Sequence, residues 1–184
     1  MNKNKINTAK HIRIFDFDDT LFRVPSFTSS EATGLKPYEW FDHPRSLTPP
    51  VNVIPILNII EQAWDEEFGI NYLITKRSED CKGQVITLLD RANCKFKEKY
   101  FLGREENKAL QVMNIMDMNP QALTMTIYED SLAEIIEYAA MLADEDSKIK
   151  IDFVFVDKSK IITIPWSAAK ALCEVSEIER LRLL

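Results

Sequence analysis

Short apolar runs alternate with stretches of helical periodicity along this chain. Residues 12–17 (IRIFDF), 70–75 (INYLIT), 124–128 (TMTIY) and 151–156 (IDFVFV) are brief and rich in β-branched or aromatic side chains, as buried strands are. Residues 99–102, closed by Gly103, give a weaker strand signal, and 161–164 (IITI) are one further short candidate. Amphipathic segments lie between them. Val53, Leu57, Ile60, Trp64 and Phe68 recur at three- and four-residue steps and predict a helix. Val85, Leu88, Leu89 and Ala92 predict a second, with Ser78 as its N-cap, and Leu110, Val112, Met113 and Met116 a third. Ser131 caps a fourth that carries Leu132, Ile135, Ile136, Ala139 and Leu142. A last helix starts near Pro165 and continues through Leu172, Val175, Ile178 and Leu181.

Such alternation predicts an α/β fold, a parallel sheet covered on both faces through right-handed crossovers. Near-continuous apolar strands fit burial on both sides. Ligands then bind at the carboxyl ends of the strands, so the polar residues just after each strand are the ones to inspect. Residues 23–50 break the pattern. They hold five of the eight prolines (Pro25, Pro37, Pro44, Pro49 and Pro50), and Tyr38, Trp40 and Phe41 make them too apolar for a plain linker. In a single domain over 1–184, a loop this long is usually either disordered or a functional lid.

Composition narrows the class. With 46% hydrophobic and 28% charged residues the chain is ordinary globular protein. Lys and Arg number 23 against 29 Asp and Glu, a formal charge of −6, so a phosphate-seeking basic shell is excluded and any nucleic-acid contact needs a local groove. The odd cysteine count (Cys81, Cys94, Cys173), with no CxxC spacing, argues against a disulfide framework or zinc knuckle and fits a reducing compartment. Residues 1–10 are basic, but the run after them is cut by charge and too short for a signal peptide, and no stretch is long enough to span a bilayer. A soluble cytoplasmic protein without membrane contact is the expectation.

The chemistry concentrates where the first strand ends, at Asp16-Phe17-Asp18-Asp19-Thr20. A two-residue step points Asp16 and Asp18 to one side, and like charges that close raise each other's pKa or call for a cation. A hard divalent ion with oxygen ligands, Mg²⁺ above all, answers that need; a solvated acidic turn is the bland alternative.

This pentapeptide resembles the DxDxT motif I of the haloacid dehalogenase-like (HAD) phosphohydrolase superfamily. Residues 70–75, an apolar strand ending in Thr75, look like motif II; Lys108 at a helix start looks like motif III; Tyr128-Glu129-Asp130 resembles the acidic motif IV. All four occur in order across 12–131. More finely, 40–47 (WFDHPRSL) and Ile127-Tyr128-Glu129-Asp130 are similar to stretches of the Swiss Army Knife RNA repair-like subgroup, although Arg23-Val24 and Lys76 depart from its pattern.

The resemblance implies a three-layer Rossmann-like HAD fold with about five central strands in the order 5-4-1-2-3 and a small cap from 23–50. It implies a Mg²⁺-dependent phosphatase that works through an aspartyl-phosphate. Asp16 would be the nucleophile and Asp18 the acid that protonates the leaving alcohol and later activates water, with its backbone carbonyl on the metal. Asp130 would be the remaining ligand. Glu129 would lie on the metal's water shell or turn away, and a plain N-terminal cap of the next helix explains the acidic pair too. Thr75 would hold a phosphoryl oxygen and Lys108 would offset its charge.

Lys76 and Arg77 fit a second phosphate or a nucleic-acid backbone, and fit surface charge equally well. Tyr38, Trp40 and Phe41 fit base stacking, with Trp40 as a substrate contact, and fit the commoner role of anchoring a cap. His43 fits a loop residue, and Trp64 and Trp166 fit packing. The subgroup suggests a nucleic-acid end such as a 3′-phosphate as substrate. Nucleotides or other small phosphates are the alternative, and a non-catalytic HAD-shaped binding module is the reading from another class.

Overall fold

The computed structural model describes residues 11–25, 34–49, 52–64, 69–143, 148–158 and 160–182, with side chains up to 175. In chain order its elements are β1 (His11–Phe15), β2 (Phe22–Arg23), α1 (Pro37–Phe41), β3 (Ile54–Pro55), α2 (Leu57–Ile60), β4 (Ile70–Thr75), α3 (Lys82–Arg91), β5 (Glu98–Phe101), α4 (Lys108–Asp117), β6 (Thr124–Glu129), α5 (Leu132–Leu142), β7 (Lys150–Asp157), β8 (Lys160–Pro165) and α6 (Trp166–Arg182). Short 3₁₀ turns lie at Pro44–Leu47, Glu61–Ala63 and Glu79–Cys81.

The main sheet runs β5-β4-β1-β6-β7-β8 and is parallel except for β8, which pairs antiparallel with β7. It therefore has six strands, where about five were expected. The extra one is the 160–165 segment, which returns along β7 as a hairpin and needs no crossover. Alternate residues of each strand enter different cores. Ile12, Ile14, Tyr72, Ile74, Met125, Ile127, Ile151 and Phe153 pack with Val112, Ile115, Ile135, Ala139 and Ala169 of α4, α5 and α6. On the opposite face Phe15, Leu73, Tyr128 and Val154 pack with Ile59, Ile60, Val85 and Leu89 of α2 and α3. Helices thus cover both faces, which is what the double-sided strands require.

Local signals account for several boundaries. Asn107 caps α4 by accepting from the amides of Ala109 and Leu110, and Ser131 caps α5 by accepting from Glu134 N. Ser78 does not cap α3 directly: the 3₁₀ turn Glu79–Cys81 intervenes, and the Ser78 side chain makes no capping bond to it.

Two helix expectations need correction. The stripe from Val53 to Trp64 is not one helix but β3, α2 and a 3₁₀ turn; Phe68 lies outside the described residues. Pro55 is taken into the antiparallel β2–β3 pair opposite Phe22, so the segment starts extended, and Leu57 and Trp64 stay 63% and 44% exposed. The Trp64 indole instead donates to the Ala92 carbonyl at 2.7 Å. At the other end Pro165 closes β8 rather than opening the helix. Ala169 is the buried contact of α6, while Leu172 and Val175 are exposed; the side chains of Ile178 and Leu181 lie outside the described residues. Trp166 does pack, stacked on Phe153 at 6.0 Å.

The inserted segment is tied at its base by the β2–β3 pair. Of the 23–50 span, 26–33 and Pro50 lie outside the described residues, as does the basic 1–10 stretch. No helix among the described residues is long and apolar enough to cross a membrane.

Candidate active site

Three strand ends meet at the site. β1 is the middle strand, paired with β4 on one side and β6 on the other. The Asp16 amide continues that pairing by donating to the Tyr128 carbonyl at 3.0 Å, which sets Asp16 beside the end of β6. The chain then folds back sharply. Leu21 N and Phe22 N both donate to the Phe17 carbonyl, and Asp19 adopts φ +54°, a left-handed conformation that aspartate tolerates better than most residues.

One carboxylate oxygen each from Asp16, Glu129 and Asp130 lie within 4.8 Å of one another. Lys108, only 4% exposed, reaches this cluster from the first turn of α4. Its Nζ donates to Asp16 Oδ1 at 2.8 Å and to Glu129 Oε2 at 2.9 Å. The Tyr138 hydroxyl donates to the same Glu129 oxygen, and Ser131 N donates to the other at 3.3 Å. Glu129 is therefore the inner partner of Lys108, a role not foreseen for it, and its bond toward α5 goes to the amide of the capping Ser131.

The crowding shows in the titration behaviour. Burial, and then the Asp16 charge, push Asp130 up to about 7. The same two causes raise Glu129 well above the usual carboxylate range against the pull of Lys108. Burial works against the Lys108 charge, but Asp16 and Glu129 more than offset it and hold that ammonium well above the ordinary lysine value.

Asp18 lies outside the triplet. Arg77 Nε donates to both of its carboxylate oxygens at 3.0 Å, and Arg77 Nη2 adds a bond of 2.7 Å to Oδ1. Burial nevertheless pushes Asp18 up to about 6 against that guanidinium. Any part of Asp18 in a metal site therefore does not run through its carboxylate, which is already engaged.

Thr75 ends β4 fully buried, and its hydroxyl accepts from Arg77 N at 3.2 Å. Its proton finds no acceptor among the described residues, so it is available to donate. Lys76 and Arg77, adjacent in sequence, diverge. Lys76 Nζ donates to the Glu106 carbonyl at 2.8 Å, whereas Arg77 turns inward and is 1% exposed. This departs from the expectation that the two cations act together on a substrate, because the Asp18 carboxylate and the insert draw Arg77 in. Trp40 is 6% exposed and stacks with His43, so of the two readings of the aromatic residues it takes the anchoring one; Tyr38 remains 43% exposed. The His43 ring accepts from Arg45 N and caps its 3₁₀ turn.

Sequence reading had missed Tyr138 and Ser46. The signal for Tyr138 was its place on the apolar stripe of α5, where a phenol must find a buried partner. Ser46 gave no comparable signal.

The donor chemistry of this site suits a hard cation. Four carboxyl groups (Asp16, Asp18, Glu129, Asp130) face two fixed cations, Lys108 and Arg77, and the surplus must be met by protons or by a divalent ion. An all-oxygen cluster favours hard divalent cations over softer metals. No protein-family model matches the chain, and no curated protein matches it.

Proposed function

We propose that the chain is a Mg²⁺-dependent phosphomonoester hydrolase of the HAD type, with Asp16 as nucleophile. The observation that carries this reading is the gathering of the Asp16, Glu129 and Asp130 oxygens within 4.8 Å, with Lys108 bonded to two of them. A further support is the sheet: its five parallel strands, numbered along the chain, run 3-2-1-4-5, which read from the other edge gives the order expected of that fold.

Asp16 and Asp130 would hold the ion, with Glu129 behind them on Lys108. When bound, the ion would offset charge on the phosphoryl oxygens. Asp16 supplies the attacking oxygen, and Lys108 holds its carboxyl group in place by a hydrogen bond. Thr75 donates its hydroxyl to a phosphoryl oxygen, which fixes the group for in-line attack. Asp18, with its pKa near 6, is a carboxyl able to give a proton to the departing alcohol and then take one from water.

The structure bears on the choice of ester. Arg77 is spent on Asp18 and Lys76 bonds the Glu106 carbonyl, which favours a small phosphate ester over a nucleic-acid end. Purified protein is expected to hydrolyse p-nitrophenyl phosphate with Mg²⁺, and to turn over mononucleotides faster than 3′-phosphorylated oligonucleotides. Inactivity on all of them from pH 5 to 9 would favour the binding-module reading, and a preference for oligonucleotides would restore the nucleic-acid one.

Metal affinity should depend on pH. Asp130 keeps its proton below about 7, so a cation must displace it there, and affinity weakens as pH falls. The apparent Mg²⁺ dissociation constant is expected to rise by up to about tenfold per unit below pH 7 and to level off above it. Calorimetric titration at pH 5.5 and 7.5 checks this; equal constants would remove Asp130 from the ligands.

A further inference from the structure

Arg77 joins the turn after β1 to the 36–48 part of the insert. On one side its Nε and Nη2 grip the Asp18 carboxylate. On the other, Nη1 donates to the Phe41 carbonyl and to Ser46 Oγ at 2.8 Å, both in the insert. The guanidinium carbon Cζ lies 4.3 Å from the Phe41 ring centroid and 6.0 Å from that of Phe17, so an aromatic ring of the insert and one from the turn after β1 lie against it. Cys81 adds to the same seat, with Sγ 3.2 Å from the Asp42 carbonyl. Ser46 and Leu47 are buried there.

A buried guanidinium with one partner removed is a large penalty, because the remaining groups stay dehydrated and unpaired. Each half of this clasp is therefore stabilised by the other. If the insert lifts, Arg77 loses its carbonyl and hydroxyl acceptors and an aromatic face. If Asp18 swings away, the guanidinium loses its counter-charge and the insert loses a rigid anchor. The planar fork also fixes the direction of the Asp18 carboxylate, which a flexible ammonium would not do.

We infer that Arg77 is a positioning residue that makes the seating of the insert and the orientation of the Asp18 carboxylate a single structural state. Asp18 is then set for proton transfer only while 36–48 are docked, and docking of the insert is felt at Asp18 through Arg77, which bonds both. The coupling itself rests on geometry alone; its catalytic consequence rests on the phosphatase reading.

Two measurements separate these levels. The first is hydrogen–deuterium exchange of the insert amides, including those of Trp40, Asp42, His43 and Ser46, in metal-free full-length protein. Arg77→Met and Asp18→Asn are each expected to speed that exchange by about tenfold or more, and the double substitution to add little beyond either. Unchanged exchange in Asp18→Asn, or full additivity in the double variant, would overturn the coupling. Should Arg77→Met fail to fold, Arg77→Lys with Asp18→Asn completes the same cycle.

The second is kcat/KM, which reports the steps through departure of the alcohol, for an alkyl phosphate and for dinitrophenyl phosphate. Arg77→Lys is expected to lose about 100-fold on the alkyl ester, which needs a proton donor, and only about threefold on the activated one. Equal losses on both esters would show a merely structural residue and overturn the positioning role. A parent protein inactive on both would instead count against the phosphatase reading, with the exchange cycle still deciding the coupling.

Discussion

Asp16→Asn is expected to lower phosphatase turnover by about 10⁴-fold or more while leaving the protein folded. An amide nitrogen or oxygen cannot replace the carboxylate as attacking group, so no covalent intermediate forms. The fold survives because the change removes a charge from an overcrowded cluster. Asp16 is among the causes that raise both Glu129 and Asp130, and Lys108 retains Glu129 as its counter-charge. The metal-free variant should therefore melt no lower than the parent, with the stabilisation given by Mg²⁺ reduced or lost. Turnover and melting temperature, with and without Mg²⁺, provide the check. Surviving turnover would mean that another group attacks phosphorus, and a collapse in melting temperature would mean that Asp16 is structural.

Lys108→Met should act on stability as well as on activity. It leaves two carboxylates, 7% and 1% exposed, without their shared cation. Breaking a buried pair in this way costs about 3–5 kcal/mol. The pH dependence has a definite sign. Lys108 has a folded-state pKa above its ordinary value, so its contribution is intact below roughly 10.4 and is lost only in strong base. In the variant, Glu129 and its neighbours lose the charge that opposed their upward shift. The folded state then binds more protons than the unfolded chain near neutrality, and stability increases as pH falls. Urea unfolding at pH 5.5 and 7.5 should show the loss shrinking at the lower pH. A loss independent of pH would place the effect in packing rather than in charge.

How much of this could be read from the chain depended on whether the deciding contact was local. The 16–20 turn, Thr75 and the capping serine before α5 all follow directly on apolar strands, and the structure finds them at strand ends as such patterns imply. Glu129 and Asp130 likewise fall where β6 stops, which is enough to bring them to Asp16 once β1 and β6 pair. Arg77 was different. Beside Lys76 it looks like half of a surface pair, and what draws it inward is Asp18, 59 residues away, together with a carbonyl and a hydroxyl in the insert. The 53–64 stripe misled for a similar reason. Its period is helical, but Pro55 and a partner strand more than thirty residues earlier take the first part into a β pair. Residue identity announces what a side chain can do, and only the distant partner decides which way it faces.

Because β1 is flanked by a parallel neighbour on each side, Asp16 hangs from an interior strand whose backbone bonds are hard to open. The insert is held by a two-residue strand pair, the guanidinium clasp, the Arg104–Asp42 ion pair and a few buried side chains such as Leu47. Fluctuations of the molecule should thus spare Asp16 and fall on the insert, so that warming or mild urea would loosen the Arg77 clasp well before it disturbed the strand beneath the acidic cluster.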